Sequence, residues 1–197
     1  ELENNLLLML SVIEHLPDHL LISGELKIDL ALVNDLNDDD LQELTSQKGW
    51  QLIQSSSNVN KQLIYNRYCI TLYRDSFNSV LHSSDLLICM AGTATEQAVG
   101  LAKPVLQLPG NGPQFTDGFA EAQRRLLGPT VFCADGASGS TINFSNTAKL
   151  ALQLLKALRS EPNLKKNCTQ QAQIRLGEAG GAKRIAMDIS NKLVEVI

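Results

Sequence analysis

Residues 85–114 combine the residue types and the spacing that a phosphate-binding site requires. The run 86–90, Leu-Leu-Ile-Cys-Met, is apolar without alternation, which predicts a parallel strand covered on both faces. Gly92 follows and permits a sharp turn with close approach of a ligand. Thr93 and Thr95 are candidates to open a helix, where free backbone N–H groups and the helix dipole favour an anion. The segment therefore predicts an anion site at a strand-to-helix turn.

Further polar residues of this segment are placed to contact the rest of a phosphorylated ligand. Glu96 and Gln97 lie one helical turn beyond the threonines, at a distance suited to sugar hydroxyls. The rigid loop of residues 109–114 leaves the end of a second apolar strand, where ligands of open α/β sheets bind. Asn111 and Gln114 of this loop are expected to face the ligand. Two or three amides and a threonine hydroxyl suffice for a diphosphate, because each charge-assisted contact contributes about 1.5–3 kcal/mol.

Other interpretations of these motifs fail on spacing or stay open. A dinucleotide fold needs Gly-x-Gly-x-x-Gly and a Walker loop needs Gly-Lys-Ser/Thr, and neither pattern occurs at this turn. Two structural alternatives stay open. Residues 91–95 can form a tight strand-to-helix turn without a ligand, and residues 109–114 can serve only to cap the helix that follows.

The order of motifs after the turn is specific. Residues 92–95, Gly-Thr-Ala-Thr, are followed by an acidic residue, by Lys-Pro at 103–104 and by an apolar strand. This order resembles the donor-binding domain of glycosyltransferases with two facing Rossmann-like halves, the GT-B architecture. It is most similar to lipid-A-disaccharide synthase and to synthase-related proteins in which Ala-Gly-Thr-Ala-Thr-Glu-Gln and Pro-Gly-x-Gly-Pro-Gln-Phe-Thr occur together. The chain has both motifs, at residues 91–97 and 109–116.

The resemblance covers roughly residue 63 to the C-terminus. Residues 73–85 are similar, without a gap, to the corresponding stretch of the peptidoglycan N-acetylglucosaminyltransferase. In such enzymes the loop after this strand holds the uracil, which the resemblance places near Tyr73 and Arg74. Residues 180–182, Gly-Gly-Ala, resemble the start of the family's last helix.

Two departures from the family pattern affect the interpretation. The synthase glutamate commonly falls one residue later than Glu96, so the ribose contact is left open between Glu96 and Gln97. The family's Pro-Gly-Ser-Arg turn before the first helix is absent, and the chain opens at Glu1 inside a helical pattern, without an initiator methionine. Residues 1–197 are therefore interpreted as a single nucleotide-sugar-binding domain, a fragment that lacks the first strand and the N-terminal acceptor domain.

The resemblance implies a parent enzyme that transfers a sugar, of the UDP-GlcNAc type, from a uridine diphosphate donor to a lipid or glycan acceptor. Helix amides and threonines would stabilise charge on the departing diphosphate, and neither a metal nor another cofactor is expected. The general base would come from the acceptor domain. No catalytic residue is therefore assigned, and the fragment is expected to bind donor without turnover. The implied nucleotide-sugar-binding residues are Tyr73, Arg74, Met90, Gly92, Thr93, Ala94, Thr95, Glu96, Gln97, Asn111, Gly112 and Gln114.

Two alternative functions stand beside the transferase. A noncatalytic nucleotide-sugar-binding subunit, or a degenerate family member acting with a partner chain, would have the same fold. A sugar-nucleotide epimerase of the same architecture fits less well, because its glycine and paired-glutamate motif is not matched by residues 92–97. Continuation of the open reading frame upstream into an acceptor domain would distinguish the transferase from the binding subunit.

Composition narrows the class of protein. With 197 residues and 44% hydrophobic content, the chain can bury the core of one α/β domain. A net charge of −4 and a pI near 5.4 argue against a nucleic-acid surface. Four scattered cysteines without Cys-x-x-Cys indicate reduced core thiols and a cytoplasmic setting. No apolar run approaches a membrane span, although lipid acceptors in the family allow peripheral association of the parent at the inner face of a membrane.

The order of apolar patterns predicts an α/β fold, a Rossmann-like, mostly parallel sheet with helices on both faces. An Asp-x-Asp metal motif at residues 38–40 is a weaker interpretation than a helix start. Strands are expected at 26–33, with 20–23 as a competing position, at 50–53, at 63–72 with a turn at Asn66-Arg67, and as a sheet edge at 131–133. Helices are expected from residue 2 until Pro17, from Asn37, from Thr116 or Asp117 to Leu127, from Ser145, from Pro162 and from Gly180-Gly181. In the last of these helices, Ile185, Ile189 and Leu193 are expected to form a buried stripe.

Overall fold

The structure, a computed structural model, describes residues 1–54, 60–110, 116–178 and 180–194. Strands and helices alternate along much of the chain, which makes this a mixed α/β protein. In chain order the elements are α1 (Leu2–Ile13), α2 (Asp18–Ile22), β1 (Asp29–Leu32), α3 (Asp38–Ser46), β2 (Gln51–Gln54), β3 (Lys61–Tyr65), β4 (Tyr68–Arg74), α4 (Phe77–Ser83), β5 (Leu87–Cys89), α5 (Gly92–Gly100), β6 (Val105–Gln107), α6 (Asp117–Leu127), β7 (Val131–Cys133), α7 (Thr141–Ser160), α8 (Pro162–Leu176) and α9 (Gly181–Val194).

The described strands form two sheets. The first has the order β1-β4-β3-β2, with β1 parallel to β4 and β3 antiparallel to both of its neighbours. The second, β5-β6-β7, is parallel throughout and sets Leu87 opposite Val105 and Val105 opposite Val131. The predicted mixed α/β class with parallel strands and surrounding helices is confirmed. Three of the five strand pairings described are parallel, but these strands are divided between two sheets and do not form the single sheet that was predicted.

The antiparallel part of the first sheet follows from a short turn. Asn66 and Arg67 connect β3 to β4, and Asn66 has a φ of 51°, a left-handed conformation that asparagine tolerates better than most residues. A two-residue connection reverses the chain, so the strands on either side pair antiparallel, with Tyr65 opposite Tyr68. The predicted turn at this position is confirmed, and it accounts for the departure from parallel pairing.

Helix α1 packs against both sheets. Its Leu6 and Leu10 belong to a core cluster with buried residues of β1, β3 and β4. Val12 belongs to a second cluster that includes Met90, at the end of β5, and residues of α7. Cys89 lies in a third cluster with residues of α4, α5 and α6. Because successive side chains of a strand point to opposite faces, the clusters of Cys89 and Met90 cover the two faces of the second sheet.

Several predicted helix starts are confirmed by their capping geometry. Asn37 caps α3, and its side-chain oxygen accepts hydrogen bonds from the backbone N–H groups of Asp39 at 2.9 Å and Asp40 at 3.0 Å. Thr116 caps α6 by accepting from the N–H of Phe119. Pro162 occupies the first turn of α8, where its missing N–H removes no intrahelical bond.

Other local predictions are wrong. Residues 20–23, the competing strand position, lie mostly in α2, and β1 occupies part of the alternative, 26–33. Helix α7 begins at Thr141 rather than Ser145, because Ser140 caps it through the N–H of Asn143. The apolar stripe of α9 is exposed and not buried, with Ile185, Ile189 and Leu193 exposed to 63%, 55% and 62%. Amphipathic spacing shows which face of a helix favours burial but does not supply a packing partner.

The four cysteines are free thiols in the structure. Cys89 and Cys168 are buried, as predicted for core thiols, and Cys133 is half-buried. Cys69 is exposed, so the predicted core location is wrong for this residue. Burial raises the pKa of the Cys133 and Cys168 thiols to about 11. Thiols with a raised pKa are poor nucleophiles at neutral pH, which favours packing roles for both.

Candidate functional site

The carboxyl ends of the parallel strands in both sheets lie on one side of the molecule. A methyl group placed on Gly110, three residues after β6, would lie 3.1 Å from Leu8 Cδ1, in the middle of α1, and 3.9 Å from Asn5 Oδ1, in its N-terminal half. At the other end of α1, the Glu14 carbonyl accepts a 3.0 Å hydrogen bond from Tyr68 Oη, at the start of β4. Helix α1 therefore runs antiparallel to the parallel strands of both sheets, and the carboxyl ends of β4 and β5 point the same way.

The first turn of α5 lies at this edge without a side-chain cap. Ala91, in an extended conformation, is the N-cap residue, and the first intrahelical bond runs from the Thr95 N–H to the Ala91 carbonyl at 3.1 Å. No described residue accepts a hydrogen bond from the N–H groups of Gly92, Thr93 and Ala94. These three donors, together with the positive end of the helix dipole, form a favourable position for an anion.

The helices that follow the other two strands of the second sheet, α6 and α7, have a side-chain cap, whereas α5 has none. Thr116 caps α6 and Ser140 caps α7, each by accepting a hydrogen bond from a backbone N–H of the first turn. These two helices therefore satisfy one of their terminal donors internally. In α5 the small residues Ala91 and Gly92 take the corresponding places and leave the turn open.

Thr95 faces the core and not the predicted ligand. Its side chain is fully buried, and its hydroxyl donates a 2.8 Å hydrogen bond to the Ala91 carbonyl. Cys89 Sγ lies 3.1 Å from the Thr95 hydroxyl oxygen, and Gln107 Nε2 donates a 3.3 Å hydrogen bond to that hydroxyl oxygen. Thr93 and Thr95 were both predicted as residues that open the helix. This prediction is wrong, because α5 begins at Gly92 and its N-cap residue is Ala91.

The remaining residues predicted around this turn are divided between surface and interior. Thr93, Glu96 and Gln97 are exposed, whereas Ala94 packs partly buried against the cluster of Cys89. Met90 is 3% exposed and packs in the core beneath α1. The three residues predicted in the second loop, Asn111, Gly112 and Gln114, lie outside the described residues.

Tyr73 and Arg74, predicted near a base, lie at the carboxyl end of β4, and both are half-buried. The Arg74 guanidinium donates to Asp38 Oδ1 at 2.8 Å and to the Val33 carbonyl at 3.1 Å. Hydrogen bonds from Lys61 and from Arg74 hold the pKa of the Asp38 carboxyl below its usual range. Arg74 is therefore held in place by an internal ion pair, which orders the end of β4.

Sequence reasoning missed two glutamines close to the turn. Gln107, the last residue of β6, is 3% exposed, and its Oε1 has no hydrogen-bond partner among the described residues. Gln123 of α6 lies against the start of α5, since a methyl group on Gly92 would be 3.5 Å from its Nε2. The signal for Gln107 was present in the sequence, because an amide that ends an apolar strand must find partners once the strand is buried.

Substitution of Thr95 by valine is expected to lower the free energy of unfolding by about 1–3 kcal/mol. Valine keeps the shape of threonine but leaves Gln107 Nε2 buried without its acceptor, and it removes the bond to the Ala91 carbonyl. Chemical denaturation followed by circular dichroism measures the loss. Thr93→Val, at an exposed position in the same turn, is the matched control and should change stability by no more than about 0.5 kcal/mol. Equal losses at the two positions would contradict the inward role of Thr95.

Searches of the described residues for metal sites and membrane-spanning helices, and comparisons with known proteins, gave no match. Among the described residues, no group of three or more His, Cys, Asp or Glu is placed to hold a metal ion. In the same part of the chain, no helix combines the length and apolar character needed to cross a membrane. The chain matches no protein-family model, no curated protein and no solved structure with which it was compared. The fold and site define a mixed α/β protein with an open helix start at the carboxyl edge of a parallel sheet.

Proposed function

We propose that the chain binds the diphosphate of a nucleotide sugar at the first turn of α5, as the donor half of a lipid-A-disaccharide synthase-like GT-B glycosyltransferase. The observation that carries the proposal is the group of three unpartnered amides, at Gly92, Thr93 and Ala94, at the carboxyl end of a parallel strand. Open α/β sheets bind their ligands at this edge. A diphosphate would accept hydrogen bonds from these amides and lie at the positive end of the helix dipole.

The rest of the donor would extend from this turn along the exposed side of α5. Glu96 and Gln97 are both exposed one turn further into the helix, and either is available to the ribose. Tyr73 and Arg74 lie at the carboxyl end of β4, on the same side of the molecule, where the base would be bound. The internal ion pair of Arg74 leaves its backbone, rather than its guanidinium, as the group offered to the base.

The proposed chemistry is stabilisation of the departing diphosphate during sugar transfer. Amide dipoles fixed before the reaction stabilise negative charge without reorganising, and this effect is commonly the largest single contribution to catalysis. The general base belongs to the proposed acceptor domain, so the described domain binds donor without transferring it. The same site would serve a noncatalytic nucleotide-sugar-binding subunit. Continuation of the open reading frame into an acceptor domain distinguishes the two.

Calorimetric titration with UDP and UDP-N-acetylglucosamine tests the proposal through the variant Gly92→Pro. Proline at the first helical position keeps the helix but removes one free N–H, and the extended conformation of Ala91 is the one that a following proline favours. The Kd for UDP is expected to rise about 10- to 100-fold, since one charge-assisted hydrogen bond contributes about 1.5–3 kcal/mol.

The matched control is Gly92→Ala, which adds a side chain and keeps the N–H. Its methyl group would make ordinary contacts of 3.5 Å with Gln123 and Phe119, so UDP affinity should stay close to that of the unsubstituted chain. An equal loss of affinity in both variants would assign the effect to bulk and not to the amide. Absence of UDP binding by the folded, unsubstituted chain would overturn the proposed function as a whole.

A further inference from the structure

The side chain of Gln123, in α6, lies directly against the first residue of α5. A methyl group on Gly92 would lie 3.5 Å from Gln123 Nε2 and 3.8 Å from Gln123 Cδ, so the amide group itself meets the turn. The ring of Phe119 would lie 3.5 Å from the same methyl group. Residues four apart share one face of a helix, so Phe119 and Gln123 form the face of α6 that contacts the start of α5.

The amide of Gln123 has no partner within the described part of the chain. Its Oε1 is buried without a hydrogen bond, and its Nε2 keeps access to solvent and bonds to no described residue. Buried polar groups are normally hydrogen-bonded, and one that is not lowers the stability of the fold. Natural proteins break this rule mainly at functional positions. Gln123 therefore has the character of a residue placed for binding rather than for folding.

A second unsatisfied amide lies beneath the same turn. Gln107 is 3% exposed, and its Nε2 donates to the Thr95 hydroxyl at 3.3 Å. The orientation of this amide is fixed, because the Thr95 hydroxyl donates its own proton to the Ala91 carbonyl. Gln107 Oε1 is left without a donor among the described residues. Two unpartnered amides thus border a helix turn whose own N–H groups are free, which points to a polar ligand at this turn.

The cationic side chains next to Gln123 are engaged by another residue of α6. Arg124 Nε lies 2.7 Å from Glu121 Oε2, and Arg125 Nε lies 2.9 Å from Glu121 Oε1. In this arrangement, the side chain that α6 presents to the start of α5 is a neutral amide donor and not a guanidinium. An anion at the turn would gain a directed hydrogen bond from α6 without an added positive charge.

We propose that Gln123 donates a hydrogen bond from Nε2 to a phosphate oxygen at the first turn of α5, so that two helices hold the diphosphate. The inference rests on the proposed function and adds a binding residue to the same site. The amides of Gly92, Thr93 and Ala94 approach the phosphate along the axis of α5, whereas Gln123 approaches it from the side. A hydrogen bond to a charged oxygen is stronger than one between neutral groups, so the contribution of Gln123 is measurable.

Titration calorimetry of a charge series at residue 123 tests the proposal, with UDP and with inorganic pyrophosphate as ligands. Gln123→Leu removes the donor, and the Kd for each ligand is expected to rise about tenfold. Gln123→Glu should raise the Kd further, because a carboxylate repels the phosphate, and Gln123→Lys should lower it below that of the unsubstituted chain. Unchanged affinity in all three variants would overturn the inference and leave the proposed function intact. Absence of binding to the unsubstituted chain would overturn both.

Substitutions at Ala122 provide the matched control for charge. Ala122 is exposed, precedes Gln123 in α6 and points about 100° away around the helix. Ala122→Glu and Ala122→Lys introduce the same charges without reaching the start of α5. At 0.15 M salt they should change the Kd less than about twofold, because solvent screens exposed charges. Equal effects at residues 122 and 123 would assign the series to overall charge and overturn the proposed hydrogen bond.

The stability of Gln123→Leu separates a binding role from a structural one. Leucine removes the buried, unpartnered Oε1, so the midpoint of chemical denaturation should equal or exceed that of the unsubstituted chain. Circular dichroism measures this midpoint in the absence of ligand. Weaker binding together with an unchanged or higher midpoint supports the proposal. A lower midpoint in Gln123→Leu, with equal affinities in the leucine and glutamate variants, would show that Gln123 acts only on the packing of α6 against α5.

Discussion

Replacing Trp50 with alanine is expected to lower the free energy of unfolding by about 3–5 kcal/mol. Trp50 is fully buried in the core cluster that holds α1 and α3 against the first sheet. Its ring centroid lies 5.5 Å from that of Tyr65 and 6.3 Å from that of Tyr68, a tilted arrangement that favours aromatic contact. Alanine would leave a cavity that a close-packed core cannot fully close.

The tryptophan also makes a polar contact with α1. Its Nε1 donates a 2.9 Å hydrogen bond to Glu14 Oε1, and Lys48 Nζ lies 3.4 Å from the other carboxylate oxygen. Trp50→Phe separates the two contributions, because it keeps most of the aromatic volume and removes the donor. Its expected loss is about 1–3 kcal/mol, since the half-buried Glu14 keeps access to solvent and to Lys48.

Chemical denaturation followed by far-ultraviolet circular dichroism is the suitable measurement for these variants. Trp50 is the only tryptophan of the chain, so intrinsic tryptophan fluorescence is lost in both. The expected order of stability is unsubstituted chain, Trp50→Phe, Trp50→Ala. A loss below about 1 kcal/mol for the alanine variant would contradict the burial of Trp50 and the position of α1 on the first sheet.

Substitution of Gly136 by alanine is expected to destabilise the protein by about 2–4 kcal/mol. Gly136 lies in the loop from β7 to α7 and has a φ of 116°, which side chains rarely adopt. A methyl group at this position would lie 2.9 Å from the backbone nitrogen of Asn143 and 3.0 Å from its Cα. Both atoms belong to the first turn of α7 and cannot move aside without disturbing that helix.

The side chain of Asn143 fixes the same loop from the other direction. Asn143 is 1% exposed, and its Nδ2 donates to the carbonyls of Ala134 at 3.3 Å and Gly136 at 3.4 Å. The loop therefore cannot shift away from α7 to accommodate a methyl group without breaking buried hydrogen bonds.

Gly24→Ala is the matched control for Gly136→Ala. Gly24 has a φ of 74°, but a methyl group there would meet no atom within 4 Å. The control retains the unfavourable backbone conformation without the steric contact, and an expected loss of about 1–2 kcal/mol follows. The difference between the two midpoints of denaturation measures the contact with Asn143. Equal losses would show that the β7–α7 loop is free to move.

Short-range signals predicted much of the local structure. The apolar run 86–90 contains β5, Asn37 and Thr116 cap the helices assigned to them, and Pro162 begins a helix. Each of these signals acts through atoms only a few residues apart, such as a side-chain oxygen and the N–H groups of the next turn. Their outcome therefore depends little on the remainder of the chain.

The position of the helix start at the candidate site was predicted, but the orientation of its side chains was not. The helix start at the end of β5 is confirmed, and the presence of free amides there agrees with the strand-to-helix pattern. The side of the helix on which Thr95 lies was not predictable, because a threonine can donate to the carbonyl four residues earlier or point outward. Arg74 was assigned by its position in a motif, whereas its partner Asp38 lies 36 residues away in sequence.

The sequence by itself determined the alternation of strands and helices, the turn at Asn66, and the small-residue turn that opens α5 without a cap. These features depend on backbone preferences and on hydrogen bonds within one or two turns. Only the tertiary structure decided that the strands of the described residues form two sheets, and that the apolar stripe of α9 stays exposed. Strand pairing and helix docking join residues far apart in sequence, and local patterns constrain those long-range contacts only weakly.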